Sequence, residues 1–262
     1  MTETDPEERR SIEIEIEVPG TPEEVWRAIA TGPGISSWYV PHVVEEREGG
    51  AAVASFGPEP EMQAPGRVAA WEPPRRVVFD GGDQDEGLAF EWLIEARDGG
   101  TCIVRLVNSG FMVGGEWDDH YDGMTEGWAI FLANLRLHLE RFAGRSATAS
   151  LPMATWAGPR DQAWARLTSE LGVPAHPAVG ERIEARAAGT AGLAGEVVEV
   201  TPHRVSLVVD SPAPGTAFIA AEGRGDGIEV SVWRYLYGEP GAAAIEHDEL
   251  AWREWLGARS AK

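Results

Sequence analysis

The sequence predicts an α+β fold in which a curved antiparallel sheet wraps round one long helix, and it predicts that this fold occurs twice. In residues 12–18, Ile and Val alternate with Glu, which is the period of a strand with one buried face. Short strand-like runs with hairpin-length links follow, and these indicate antiparallel pairing. In residues 116–142, large apolar side chains recur at spacings of four and three, as they do on one face of a helix.

The first half is predicted to contain one short capped helix, six further strand-like runs and one long helix. Thr21 can cap a helix, Pro22 suits its first position and Glu24 completes a capping box, while the glycines at 32 and 34 end the helix. Strand-like runs then follow at Val40–Glu45, Ala51–Phe56, Gly66–Trp71, Val77–Asp80, Leu88–Ala96 and Thr101–Asn108. The long helix extends from about Glu116 to Phe142. A sheet curved round such a helix is hard to fill, so we expect a cavity between the two.

The composition is that of a globular protein and excludes several classes. Hydrophobic residues make up 43% and charged residues 25% of the 262 residues. The net charge of −21 argues against binding nucleic acid or an anionic membrane surface. The single cysteine, Cys102, excludes an internal disulfide and a cysteine-based zinc site. Because no signal segment and no long apolar run is visible, we expect a cytoplasmic protein without membrane insertion.

The length allows two domains, and the chain offers a boundary between them. The small-residue stretch at 144–150 directly follows the long helical pattern and is a predicted linker. It separates a first domain, 1–145, from a shorter second domain, 146–262. The first carries a net charge of −16 and the second −5, which makes the first a possible steering surface for a basic partner.

The second half echoes the first. Gly66 and Pro73 have the same spacing as Gly195 and Pro202, and each pair is followed by Arg-Val and a strand that ends in Asp. We interpret this as a duplicated domain, although such strand-and-turn patterns also recur by chance in β-rich chains. The terminal helix of the second copy, Ala242 to Arg259, is predicted to be shorter, with Leu250 among its apolar residues. We therefore expect a smaller cavity or none there, and a stabilising or interface role.

Several motifs together resemble a known superfamily. They are Val18-Pro19-Gly20-Thr21-Pro22-Glu23-Glu24-Val25-Trp26, Ile35-Ser36-Ser37-Trp38-Tyr39, Gly66-Arg67-Val68, Trp71-Glu72-Pro73-Pro74-Arg75-Arg76-Val77, and Glu116-Trp117 through Met124-Thr125-Glu126-Gly127-Trp128. Over about residues 11–143 the chain resembles the SRPBCC (START-like, helix-grip) superfamily, in the branch named after the activator of the 90-kDa heat-shock-protein ATPase. The resemblance implies a helix-grip fold. It says little about activity, because this fold hosts carriers, sensors, cyclases and co-chaperones.

The candidate ligand-binding residues are mainly aromatic. Trp and Tyr combine a large apolar area with one polar group, which suits the wall of a pocket for a flat or greasy ligand. The alternative is that these side chains only fill the core. The predicted set consists of Trp38, Tyr39, Trp71, Phe79, Phe90, Trp92, Phe111, Trp117, Tyr121, Met124, Trp128 and Phe131.

Three polar residues complete the predicted site. His42 follows the Trp38-Tyr39 run, where the resemblance places the entrance of a pocket, and could act as a polar anchor or as a general acid or base. Arg105 could pair with a carboxylate ligand, and Asn108 could orient one. The alternatives are a histidine on a surface loop and an arginine that lies over the outer face of the sheet.

A metal site and a cofactor are not expected. Residues 118–122 contain three aspartates and a histidine, but acidic residues are favoured in a first helical turn without any function. A mononuclear transition-metal site would normally need a second clustered histidine. The sequence carries none of the glycine-rich nucleotide-binding motifs and no G-x-S-x-G or H-E-x-x-H motif.

These observations lead to three hypotheses. The first is a protein that binds a small hydrophobic molecule, lipid-like or polyketide-like, between the sheet and the long helix of the first domain. The second is an enzyme of the cyclase or lyase kind in which His42, Tyr121 and Arg105 transfer protons. The third is a co-chaperone-like interaction module, with a protein partner or a homodimer, which rests on the family name alone.

Overall fold

A computed structural model describes residues 9–82, 88–114, 116–223, 225 and 227–260, and for residues 116–120 and 122 it describes the backbone only. The chain divides into two compact units, residues 1–144 and 145–262. The described part contains no helix that is both long enough and apolar enough to cross a membrane.

The first unit is one curved sheet with a long helix. Its strands are β1 (Arg9–Pro19), β2 (His42–Val44), β3 (Ala51–Ser55), β4 (Gln63–Glu72), β5 (Arg76–Asp80), β6 (Ala89–Arg97) and β7 (Thr101–Met112). Its helices are α1 (Pro22–Ala30), α2 (Gly32–Ile35) and α3 (Glu116–Arg141). The strands form an antiparallel sheet in the order β1-β7-β6-β5-β4-β3-β2. The predicted α+β helix-grip fold is therefore confirmed.

Local chemistry explains where these elements begin. The Thr21 hydroxyl accepts a hydrogen bond from the Glu24 N–H at 3.3 Å, and the Glu24 carboxylate accepts one from the Thr21 N–H at 2.8 Å. This is the predicted capping box, which satisfies N–H groups that a helix start leaves free. In β1, Ile12 and Val18 are buried, while Glu13 on the opposite face bonds Arg105 of β7.

The second unit repeats this plan in a shorter form. Its strands are β8 (Ala147–Ser150), β9 (Met153–Ala157), β10 (Arg182–Ala185), β11 (Leu193–Thr201), β12 (Arg204–Ser211), β13 (Gly215–Glu222) and β14 (Gly227–Tyr237). Its helices are α4 (Arg160–Leu171) and α5 (Gly238–Gly257). The sheet order is β10-β11-β12-β13-β14, with β8 and β9 both paired to β14, as β1 is paired to the last strand of the first unit.

The repeat extends to individual hydrogen bonds. In the first unit the Gly49 N–H donates to the Val68 carbonyl at 2.8 Å, and the Val68 N–H donates back to the next residue, Gly50. In the second unit Gly180 and Val197 make the same pair of bonds, and the residue after Gly180 accepts the second one. Both glycines have a positive φ, +73° and +86°, which favours glycine at this turn.

The same correspondence places a bulge in both sheets. The pairing register shifts directly after Val68 in β4 and directly after Val197 in β11. Two residues before each valine lies a glycine, Gly66 or Gly195, where a Cβ atom would clash with a backbone oxygen of the neighbouring strand. The spacing that the sequence shares thus reflects a shared strand geometry, and the predicted duplication is confirmed.

Three boundary predictions were wrong. Residues 147–150 of the predicted linker form β8, because their backbone pairs with β14. The helix α5 begins at Gly238 rather than at Ala242, and its Leu250 is 67% exposed rather than part of the apolar face. The strand predicted at Val40–Glu45 is limited to His42–Val44, because residues before it continue the turn that follows α2.

Candidate functional site

A cavity of about 260 Å³ lies in the first unit, at the concave face of the sheet. Its wall comes from α1, the α2–β2 segment, strands β3 to β6, and α3. Eight of the residues predicted from the sequence line it: Trp38, Tyr39, His42, Phe79, Phe90, Trp92, Met124 and Trp128. The structure thus brings aromatic side chains from four separate parts of the chain to one apolar wall.

Stacked and edge-on rings build this wall. The Tyr39 ring stacks on Trp128, with centroids 5.1 Å apart and 26° between the planes, and on Trp38 at 5.7 Å. Trp92 meets both tryptophans edge-on at 5.6 Å. Such edge-on and offset pairs add to the stabilisation that burial alone provides. The wall is therefore fixed by ring packing and does not depend on a ligand to form.

Two buried asparagines hold the tryptophans of the wall. Asn108 is fully buried; its Oδ1 accepts from the Trp128 indole N–H at 3.2 Å, and its Nδ2 donates to the Ala89 carbonyl at 3.2 Å. Asn134, also fully buried, donates to the Trp38 carbonyl at 2.9 Å. Buried polar groups are stable only when they are bonded, so Asn108 fixes the Trp128 ring and Asn134 fixes the backbone at Trp38.

The segment after α2 positions Tyr39 and His42. The Ser36 hydroxyl accepts from the His42 N–H at 2.8 Å and donates to the Gly32 carbonyl at 2.7 Å. The Trp38 indole N–H donates to the Ala28 carbonyl of α1 at 2.9 Å. These bonds tie the segment between α2 and β2 to both helices, which explains why Trp38, Tyr39 and the first residue of β2, His42, are held at the cavity.

The cavity wall carries little uncompensated charge. Burial lowers the pKa of His42, although a hydrogen bond between its Nδ1 and the Val40 carbonyl at 2.8 Å acts in the opposite direction. Burial also raises the pKa of the Tyr39 hydroxyl, so this group stays protonated. At the rim, Asp80 is paired with Arg67 at 2.9 Å. The wall therefore presents neutral groups and one compensated carboxylate.

Four predicted aromatic residues lie elsewhere. Trp71 packs edge-on against Trp26, with centroids 4.9 Å apart. Phe111 is fully buried against Tyr121 at 5.3 Å, and the Tyr121 hydroxyl donates to the Ser11 carbonyl at 3.2 Å. Phe131 packs behind the wall against Tyr39, with centroids 4.4 Å apart. The side chain of Trp117 lies outside the described residues, as do those at 118–120 and 122.

The two polar residues predicted on β7, Arg105 and Asn108, lie on opposite faces of the sheet. Arg105 lies on the outer face of the sheet, where it pairs with Glu13 at 2.5 Å and Glu15 at 3.8 Å. Its guanidinium is thus bonded to β1 rather than directed to the cavity, because in β7 from Thr101 to Asn108 the even-numbered residues are the buried ones and Arg105 lies on the other face. Asn108 lies on the inner face but reaches the cavity only through Trp128.

Sequence reasoning missed the small and aliphatic part of the wall. These residues are Ile29, Ile35, Ala52, Ala54, Ala64, Pro65, Gly66, Gly81 and Leu88, and the aromatic Phe56 and the acidic Asp80 were missed with them. Alternation in β3 would have placed Ala52 and Ala54 on one face, and their short side chains leave the space open. Asn134 was also missed, although a polar residue inside the apolar stripe of α3 is the kind of signal that marks it.

The second unit fills the corresponding space. A cluster of buried apolar side chains occupies its interior, including Trp156, Leu167 and Trp252. Within it, the fully buried Arg234 pairs with Asp248 of α5 at 2.6 Å and donates to the Ser150 hydroxyl at 2.7 Å. The Trp252 indole N–H donates to the same carboxylate at 3.2 Å. These contacts stabilise the interior of the second unit.

The described side chains contain no group of three or more His, Cys, Asp and Glu residues that could hold a metal ion. The predicted cluster at 118–122 falls on side chains that are not described. The cavity is thus mainly apolar, with the Tyr39 hydroxyl, the His42 imidazole and the Arg67-paired carboxylate of Asp80 as its polar side chains, which suits binding of an uncharged organic molecule.

The fold and cavity define a helix-grip protein with an internal pocket. Residues 19–140, within the first unit, match the model of the family described as "Activator of Hsp90 ATPase homolog 1-like protein". No curated protein matches the chain.

Solved structures with similar folds share little sequence with the chain. The Aha1 dimer from Colwellia psychrerythraea is 20% identical, with 50% of this chain and 97% of that chain covered and a TM-score of 0.43. CalU16 from Micromonospora echinospora is 22% identical, with 51% and 75% covered and a TM-score of 0.40. The di-domain ARO/CYC BexL from the BE-7585A biosynthetic pathway is 18% identical, with 97% and 99% covered and a TM-score of 0.45.

Proposed function

We propose that the first unit binds a small, uncharged hydrophobic molecule in the cavity between the sheet and α3. The observation that carries this proposal is the cavity of about 260 Å³, whose wall is mostly aromatic and aliphatic. An apolar pocket with a few polar groups is the usual form of a small-molecule site. The wall is held by buried asparagines, so ligand binding would not require the protein to order it first.

The volume and the ring geometry favour a compact ring system over a long acyl chain. Pockets for drug-sized ligands usually measure about 300–1,000 Å³, and this cavity lies just below that range. Flat rings match the aromatic wall that includes Trp92 and Trp128, whereas a flexible chain would lose more conformational freedom on binding. Of the two classes that the sequence suggests, the polyketide-like one therefore fits better than the lipid-like one.

Binding is favoured over catalysis. The enzyme hypothesis requires several polar groups round one substrate, but of His42, Tyr121 and Arg105 only His42 lines the cavity. A chaperone partner, which the family description suggests, has no further support in the contacts described above. We therefore keep His42 as a ligand contact rather than a catalytic residue.

A cavity-filling variant tests this proposal. Ala54 of β3 lines the cavity, and Ala51 of the same strand is exposed. In the Ala54→Phe variant a ring would occupy the pocket, so binding of 2-methylnaphthalene, measured by calorimetry, should be lost. The matched Ala51→Phe variant should bind this probe as the wild type does. Absence of binding to the wild type, or equal binding to Ala54→Phe, would contradict the proposal.

A further inference from the structure

The cavity wall offers few polar groups to a ligand. Among the residues that line it, the ionisable ones are Tyr39, His42 and Asp80. Both carboxylate oxygens of Asp80 accept from Arg67, at 2.9 and 3.3 Å, and one also accepts from the Gly82 N–H at 2.9 Å. Asp80 is thus already satisfied at the rim. Tyr39 and His42 are the groups with hydrogen-bonding capacity left for a ligand.

The hydrogen bond to Val40 decides what His42 can do. A carbonyl oxygen only accepts, so the Nδ1 that lies 2.8 Å from the Val40 carbonyl must carry the proton. In a neutral imidazole Nε2 is then an acceptor. Burial lowers the pKa of His42, which keeps the ring neutral at pH 7. His42 therefore presents an acceptor and no positive charge.

The Tyr39 hydroxyl lies on the neighbouring ring. The Tyr39 and His42 rings are 5.4 Å apart between centroids, and both line the cavity. Within the described part of the chain, neither the Tyr39 hydroxyl nor Nε2 of His42 forms a hydrogen bond. A protonated hydroxyl can donate to a ligand oxygen. His42 and Tyr39 thus offer one acceptor and one donor, side by side, to a ligand in the apolar cavity.

We propose, on the basis of the function proposed above, that the cavity selects aromatic ligands with an uncharged hydroxyl group, which donates to Nε2 of His42 and accepts from the Tyr39 hydroxyl. The ring system of the ligand would lie against Trp38, Trp92 and Trp128. A carboxylate has no proton to donate to Nε2, and the described wall holds no cation to neutralise it. A plain hydrocarbon would leave both groups unpaired.

Three bicyclic probes of similar size distinguish these classes by isothermal titration calorimetry at pH 7.5: 2-naphthol, 2-methylnaphthalene and 2-naphthoate. In the His42→Phe variant the bound hydroxyl loses its acceptor, so affinity for 2-naphthol should fall about tenfold. Affinity for 2-methylnaphthalene should stay within about twofold, because it makes no such bond. His247→Phe, at an exposed histidine of α5, is the matched control and should change neither affinity.

The outcomes separate the two proposals. A selective loss of 2-naphthol binding in His42→Phe, with weak or no binding of 2-naphthoate, supports the hydroxyl assignment. Equal losses for 2-naphthol and 2-methylnaphthalene, no loss at all, or tightest binding of 2-naphthoate would overturn it while the apolar pocket stands. If the wild type binds none of the three probes, both the assignment and the proposed function fail.

Discussion

Replacing Asn108 by leucine should loosen the cavity wall. Asn108 is fully buried and bonds two groups, the Trp128 indole N–H and the Ala89 carbonyl, each at 3.2 Å. Leucine has a similar shape but no hydrogen-bonding group, so both partners would be left unpaired. An unsatisfied buried group costs about 1–3 kcal/mol, and the apolar side chain offsets part of this. We expect Asn108→Leu to lower the free energy of unfolding by about 2–4 kcal/mol.

Denaturant unfolding followed by tryptophan fluorescence measures this loss, and probe binding measures its consequence. Leu106→Ala is the control, because Leu106 is equally buried on the same face of β7 and its truncation leaves no polar group unpaired. It should cost about 2–5 kcal/mol through a cavity. Both variants should be less stable, but only Asn108→Leu should shift the Trp128 indole N–H resonance strongly and weaken binding of 2-methylnaphthalene. An Asn108→Leu variant with wild-type stability and affinity would refute the argument.

Two further predictions concern buried ionisable groups. Burial lowers the pKa of His138 to about 4, against about 6.5 in an unfolded chain, so on acidification the unfolded state takes up the proton first. The free energy of unfolding should therefore fall by about 2 kcal/mol from pH 7 to pH 5. Denaturant titrations at the two pH values measure this slope, and the His138→Asn variant should flatten it. In the second unit, Asp248→Ala removes the nearest counter-charge of the fully buried Arg234, which then keeps only the weaker pairing with Glu249 at 3.6 Å, and should cost about 3–5 kcal/mol. Asp210→Ala, at an exposed pair with Arg182, should cost under about 1 kcal/mol. Similar losses of the two variants in thermal unfolding would contradict a stabilising role for the buried Arg234–Asp248 pair.

Most of the fold was predictable because periodicity and turn chemistry are local. The alternation in β1, the capping box at Thr21 and the stripe on α3 each depend on neighbouring residues. The repeat was visible because Gly66 and Gly195 serve the same close strand approach in both sheets. The strand at 147–150 was missed, since small residues show no alternation and the pairing partner, β14, lies some 85 residues further on.

The cavity was predictable only in part. Aromatic composition pointed to Trp38, Tyr39 and Trp128, but it does not distinguish a ring that lines a cavity from one that packs behind it, as Phe131 does. Arg105 was misplaced as a ligand contact because its pairing with β1 depends on sheet order. Ala52 and Ala54 went unnoticed because empty space is created by what the side chains leave unfilled, which a single sequence does not display.

The indole N–H resonances test the central claim most directly. The chain has 11 tryptophans, and Trp38, Trp92 and Trp128 line the cavity, whereas Trp156 and Trp252 are buried in the second unit. In a ¹⁵N-correlated NMR titration with 2-methylnaphthalene, the account predicts saturable shifts at the three cavity tryptophans and none at the other two. Shifts confined to Trp156 and Trp252, or no saturable shift at any indole, would contradict a ligand site in the first unit.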